Sequence, residues 1–241
     1  MRTLTLDSPR NRNALSSRLL DELADGLAEV GDDATVRLVV LTATGPAFCS
    51  GADLTEGAGA VASRLPEILT AIRTAAVPVV ARVNGPARAG GLGLIAAADL
   101  AAATTRCTFA FSEVRIGVAP AIILVPSLRV AEPRFLVRAT LTGEPFDAAA
   151  AAGAGLLTSV VDDDRALDEW VEGITSSILK SAPGAVAATK ALLAQLTEMP
   201  FSEGLDTARA RSAELFAGAE AAEGMEAFLA KRAPAWDGAT S

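Results

Sequence analysis

One glutamate, two glycine-rich loops and a missing side-chain type bound the chemistry open to this 241-residue chain, which contains no histidine and no tyrosine. Ser-His-Asp and Cys-His nucleophile systems, an HExxH zinc site and an imidazole general base are therefore excluded. Acid-base work must rest on carboxylates, lysine or backbone. The two cysteines, Cys49 and Cys107, form no CxxC pair. Neither a zinc ribbon nor a disulfide framework is indicated, no metal set is expected, and a reducing cytoplasm is the default compartment.

The first loop, GPAFCSGADL at 45–54, follows a strand-like run ending at Thr42 and is of the kind that exposes backbone N–H groups. The second, within VNGPARAGGLGLIAAADL at 83–100, turns from a strand into an Ala-rich helix. Gly90 and Gly91 fall at or near that helix N-terminus, where amides lack carbonyl partners and developing negative charge is favoured. Close helix-to-sheet packing explains such glycines equally well. Glu113 ends the β-prone run CTFAFSEV at 107–114, in which alternation puts Phe109, Phe111 and Glu113 on one face. Two outcomes are open. Either the strand emerges into solvent at Glu113, the commoner fate of a strand-end glutamate, or the acid projects into an apolar pocket that favours its neutral form and suits it to proton transfer near neutral pH.

The run G-L-G-L-I-A at 91–96 also matches GxGxxA, with Glu113 about where a dinucleotide fold places its ribose-binding acid. That reading makes the chain an NAD-dependent dehydrogenase. Against it, Asn84 to Gly90, including Pro86, separate the glycines from their strand, and the FCSGADL loop is left unexplained.

The elements that must position these residues alternate. VRLVVLT at 36–42, VPVVARV at 77–83, CTFAFSEV at 107–114 and LLTSVV at 156–161 read as strands, and MRTLTLD supplies another at the start. A helix from Ser16 to Val30 has a cap at Ser16 and the apolar stripe Leu19, Leu20, Leu23, Leu27 and Val30. Helices near 60–75 and 90–98 cross between strands, as a right-handed parallel arrangement requires. Beyond residue 143 the chain turns helical, over Leu167–Leu179, Ala185–Leu196, Glu203–Phe216 and Glu220–Lys231. An α/β core with a helical tail results. At 24.5 kDa folding buries roughly 70% of the extended chain's surface. A net charge of −8 and a pI near 4.7 argue against a nucleic-acid partner. Asp99, Pro120 and Pro126 interrupt the apolar stretches before they could span a membrane, and Asp7, Pro9 and Arg10 fall where a signal peptide would be apolar.

Taken together, FCSGADL, VNGPARAGGLGL ending in Asp99, and FAFSEVRIG resemble the enoyl-CoA hydratase/isomerase, or crotonase, superfamily. NAL at 13–15, LTGEPFDAAAAAGAGLLTSVV at 141–161 and EGMEAFLAKRAPAW at 223–236 extend the resemblance over nearly the whole chain. It implies an α/β fold, a crotonase-like spiral of ββα units over 1–180 followed by a C-terminal helical trimerisation region over 181–241. The assembly implied is a homotrimer or dimer of trimers. It also implies an extra strand ahead of MRTLTLD, an acyl-CoA substrate with coenzyme A as the carrier, and no tightly bound cofactor.

Residue by residue, the resemblance places the two amides that hold the thioester oxygen on Ala52 and Gly90, and a catalytic carboxylate on Glu113. Backbone donors preorganised around an oxyanion are worth roughly 3 to 4 kcal/mol each and need no side chain. The family's hydratases carry a first glutamate where this chain has Gly93, which reads as creating room, against the alternative of simple helix packing. A single carboxylate can shuttle a proton between α and γ carbons or activate water alone, so isomerisation and hydration both stay open, as does a CoA-thioester binding protein without catalysis. Ala121 replaces the aspartate of the family's dienoyl-CoA isomerases and disfavours that reaction. Arg10 and Arg12 stand where the family clasps the nucleotide, with Lys231 and Arg232 as further cations, and Ser50, Asp53 and Leu54 match the loop whose backbone lines the adenine and pantetheine path. Surface charge alone also accounts for each of these cations.

Overall fold

The computed structural model describes residues 1–56 and 58–238, with the side chains of 58–62 and 238 outside the description. In chain order the elements are β1 (Arg2–Leu6), α1 (Ser17–Asp32), β2 (Val39–Ala43), α2 (Ala58–Thr74), β3 (Val79–Val83), β4 (Ala87–Arg88), α3 (Gly90–Ala97), β5 (Leu100–Thr104) and β6 (Thr108–Ala110). A 3-10 turn (Ser112–Ile116) leads to α4 (Ala121–Val130), α5 (Pro133–Thr142), β7 (Phe146–Asp147), α6 (Ala148–Gly153), β8 (Ser159–Val161), α7 (Asp164–Leu179), α8 (Pro183–Leu196), α9 (Phe201–Phe216) and α10 (Ala219–Ala230).

Five strands form one parallel sheet in the order β1-β2-β3-β5-β8, and β4-β6-β7 form a second, smaller one. Both faces of the large sheet are covered, so its central strands read as unbroken apolar runs rather than alternating ones. Val39 and Leu41 join the main core with the stripe of α1, while Leu38, Val40 and Val80 pack on the other face against Val171 of α7. Ser16 caps α1 as its sequence position predicts, its side chain accepting the Leu19 N–H at 3.2 Å.

One expectation needs correction, and several elements lie where none was expected. The strand at 107–114 stops at Ala110, because the chain coils into the 3-10 turn at Ser112. The Ala-rich stretch after Asp99 holds strand β5, which the helical propensity of LAAAT conceals. Its alanines at 101–103 are almost fully buried between β3 and β8, where only small side chains fit, and tertiary context overrides propensity. Helices α4, α5 and α6 were hidden by their prolines and short length: Pro133 opens α5 in its first turn, while Pro126 lies inside α4. Among the described residues no helix is long and apolar enough to cross a membrane.

Candidate active site

The loop at 45–54 is strapped on both sides by main chain. Phe48 and Cys49 N–H donate to Pro86 O, Arg88 N–H donates to Cys49 O, and Ser50 N–H donates to Arg12 O. Leu15 N–H donates to Gly51 O at 2.7 Å and Leu15 O accepts the Asp53 N–H at 3.0 Å. This is a parallel bridge between Leu15 and Ala52. In such a bridge the N–H of Ala52 points away from Leu15.

Asn13, which sequence reasoning treated only as part of the helix-opening NAL, organises this strapping. Fully buried and in the left-handed region (φ 56°), it donates from Nδ2 to Thr44 O and Ala47 O, both at 2.8 Å, and accepts the Ser8 N–H at 2.7 Å. An asparagine ahead of a helix cap was the available signal, since this residue tolerates that backbone conformation.

Facing the loop is the start of α3. Ala89, its N-cap, is held at φ 46°, ψ −120° and donates its N–H to Ala110 O at 3.1 Å. A non-glycine residue in that region costs on the order of 1–3 kcal/mol. Gly90 comes next, and a Cβ there would meet Leu15 Cδ1 at 2.6 Å. Neither the Ala52 nor the Gly90 N–H has a backbone acceptor among the described residues, and both residues line one cavity of ≈ 500 Å³.

Glu113 reaches the same cavity from the 3-10 turn. Of the two outcomes left open for it, the apolar pocket is the one realised. Its Oε2 is buried without a hydrogen-bond partner. Burial pushes its carboxyl above the usual range, and a backbone hydrogen bond offsets part of that shift. Phe109 and Phe111 are core residues; they stack behind the turn on Phe146, with ring centroids 5.8 and 6.2 Å away.

The remaining wall is largely aliphatic, with Leu65 from α2 and Ile122 and Ile123 from α4, and Ser112 and Arg115 of the 3-10 turn add polar groups. Gly93 does not create room. A Cβ there would meet Ile123 Cγ2 at 2.6 Å, so Ile123 occupies the space and the glycine serves helix packing. Ala121 also lines the cavity, and Glu113 is the one carboxylate among its described lining residues.

Of the other predicted residues, Ser50 and Leu54 line the cavity and Asp53 does not. The Asp53 carboxylate turns back on its own loop, accepting from Thr55 N and Oγ1 and from Asn11 Nδ2, bonds that hold its carboxyl below the usual range. Arg10 and Arg12 are exposed and outside the lining, although Arg12 O is tied to rim residue Ser50. Arg232 is committed to Glu223 through a two-pronged pair at 2.7 and 3.0 Å. Cys49 and Cys107 are buried free thiols, and burial pushes Cys49 up to about 12, which leaves it un-ionised and unreactive.

The glycines of the GxGxxA match lie inside α3 rather than in a strand-to-helix loop, packed on Cys49 and Ile123. A dinucleotide pyrophosphate therefore has no glycine cradle there, and the dehydrogenase reading falls.

Comparison with known proteins agrees with this geometry. The family model described as enoyl-CoA hydratase/isomerase matches residues 1–239. The chain is 32% identical over 244 residues to the zebrafish (Danio rerio) mitochondrial enoyl-CoA hydratase domain-containing protein 3, covering 98% of this chain and 84% of that protein. Among solved structures, an enoyl-CoA hydratase of Mycobacterium smegmatis superposes with a TM-score of 0.92 at 36% identity, covering 97% of this chain and 94% of that one. The human enoyl-CoA hydratase domain-containing protein 3 gives 0.93 at 29% identity, covering 97% and 95%. The chain belongs to the enoyl-CoA hydratase/isomerase family and has the crotonase fold.

Proposed function

We propose that the protein is an acyl-CoA enzyme that migrates a double bond through an enolate, with Glu113 as the sole proton carrier. The observation that supports this most directly is a buried, unpartnered Glu113 oxygen sharing a cavity with the Ala52 and Gly90 residues, whose amides have no backbone acceptor. The ionised carboxylate takes the α proton of a 3-enoyl thioester. The C–H electron pair delocalises onto the thioester oxygen, where the Ala52 and Gly90 N–H groups receive the charge. The neutral acid then delivers its proton to the γ carbon, the α,β double bond forms and the carboxylate is regenerated.

Hydration is the second reading, and the names of the relatives favour it. It asks Glu113 alone to activate water in a cavity that Ile123, packed on Gly93, also lines. Assaying 3-enoyl-CoA and 2-enoyl-CoA substrates side by side decides between the two. Faster conversion of the 3-enoyl thioester supports migration, hydrated product supports the second reading, and acyl-CoA binding without either reaction supports a non-catalytic thioester-binding protein.

For the nucleotide end of coenzyme A we keep Arg10 and Arg12 near the rim as the cations, with Ser50 and Leu54 along the pantetheine path. A homotrimer or dimer of trimers is the assembly we propose. Phe201, Phe216, Phe228 and Leu229 stand exposed on α9 and α10 and supply apolar surface for subunit contacts, and sedimentation velocity measures the outcome. Two buried, unpaired thiols fit a reducing compartment such as the cytoplasm.

A further inference from the structure

A second cavity of ≈ 380 Å³ lies beside the first, and Ile122 lines both. The two share one crevice between α2 and α4, helices that pack against each other. From α2, Leu65 faces the first cavity, and Pro66, Leu69, Thr70 and Arg73 face the second. From α4, Ala121 to Ile123 face the first, and Ile122, Val125, Pro126 and Arg129 the second. Between Leu65 and Arg73 a helix rises about 12 Å.

The far end of this crevice is lined by charge. Glu198, in the turn after α8, pairs with Arg129 at 2.8 Å and stands 3.9 Å from Arg73, bridging the two helices. The space below that bridge is aliphatic apart from Thr70. The partition is also weakly braced. Pro126 has no N–H to give the carbonyl of Ile122 four residues earlier, so the turn carrying the shared residue lacks one helical hydrogen bond.

We infer that the second cavity receives the distal methylenes of the acyl chain, making this protein selective for medium-length, linear acyl-CoA thioesters, with Ile122 as the partition the chain passes. The inference rests on the acyl-CoA reading above. A chain whose carboxyl end sits between Ala52, Gly90 and Glu113 has an aliphatic continuation past Ile122, and the Arg73–Glu198–Arg129 bridge sets its maximum length. Each methylene drawn from water into that space tightens binding by about fourfold.

The test uses saturated thioesters, so that it reads binding independently of turnover. Butyryl-CoA and decanoyl-CoA are titrated calorimetrically into the wild-type protein and into Thr70→Trp, which fills the second cavity from a residue outside the first. The readout is the ratio of the two affinities, which cancels a general loss of binding. We expect decanoyl-CoA to bind the wild type tighter by about tenfold or more, the ratio to collapse toward one in Thr70→Trp, and Thr70→Val to keep it. Val125→Phe, which narrows the same space from the other helix, serves if Thr70→Trp does not fold. Equal binding of both thioesters by the wild type, or a length preference that survives both bulky variants, overturns the inference while leaving the acyl-CoA reading intact. A preference that collapses as expected in a protein that turns over no enoyl-CoA leaves the inference standing and sinks the catalytic assignment. Failure to bind either thioester overturns both.

Discussion

Two carboxylates are drawn into this fold and treated in opposite ways. Asp99 follows α3 and stands 2.7 Å from Lys190 Nζ. One of its oxygens also accepts the Val79 N–H at 2.7 Å, and Lys190 donates further to Ile72 O and Val77 O. Glu113, beyond the other end of β6, has a buried oxygen with no donor at all. The first arrangement pins α8 to the junction of α2 and β3, and burial lowers the Lys190 pKa while Asp99 works to raise it. In the second, stability is forgone and a reactive group is kept. A buried polar atom that the fold declines to satisfy is a pointer to ligand chemistry, whereas a fully partnered pair points to architecture.

That contrast yields graded tests. The largest effect is expected for Glu113→Gln, which should lower kcat with an enoyl-CoA substrate by about 10³-fold while calorimetry finds acyl-CoA binding retained; undiminished turnover would remove Glu113 from the mechanism. Next is Lys190→Met, which strands Asp99 and should cost about 3 kcal/mol of stability in urea titration. A neutral result would mean the partnered pair is no more structural than the orphan. Gly90→Ala should follow at about 2 kcal/mol, because its Cβ must displace the buried Leu15. Activity should fall further than stability alone explains, since the amide shifts with the backbone.

The smallest effect is a pH dependence of stability. Because burial raises the Glu113 pKa above its ordinary value of 4.5, the folded state holds that proton more tightly than the unfolded one. Its contribution is fully present below the ordinary value and is lost as pH rises through the raised one. The Tm of Glu113→Gln should therefore match wild type in acid and exceed it, by a few degrees at most, near neutral pH. In the same range kcat/KM of the wild type should rise with pH as the base ionises, with a midpoint above the ordinary carboxylate range.

Much of this was legible before any coordinates. The stripe of α1 and its cap and the strands at 39–43 and 79–83 follow from periodicity, and the convergence of two glycine-bearing segments on Glu113 follows from the family resemblance. What escaped was set by packing at a distance. LAAAT lacks the β-branched signal of a strand and is one because it lies between two others. Gly93 reads as an opening and is a seat for Ile123, a residue thirty positions later. Asn13 looks like an ordinary polar residue ahead of a helix until its two carbonyl partners from the glycine loop are known.

The bridge between Leu15 and Ala52 has a practical corollary for anyone mapping this site by mutagenesis. Two of the three groups proposed to meet the thioester belong to the main chain, one of them at a residue that is already alanine. An alanine scan would pass over position 52 without a change and would report position 90 as a packing defect. Replacing the peptide N–H of Gly90 by an ester oxygen deletes the donor while adding no side chain, and so isolates the electrostatic role that side-chain substitution cannot reach.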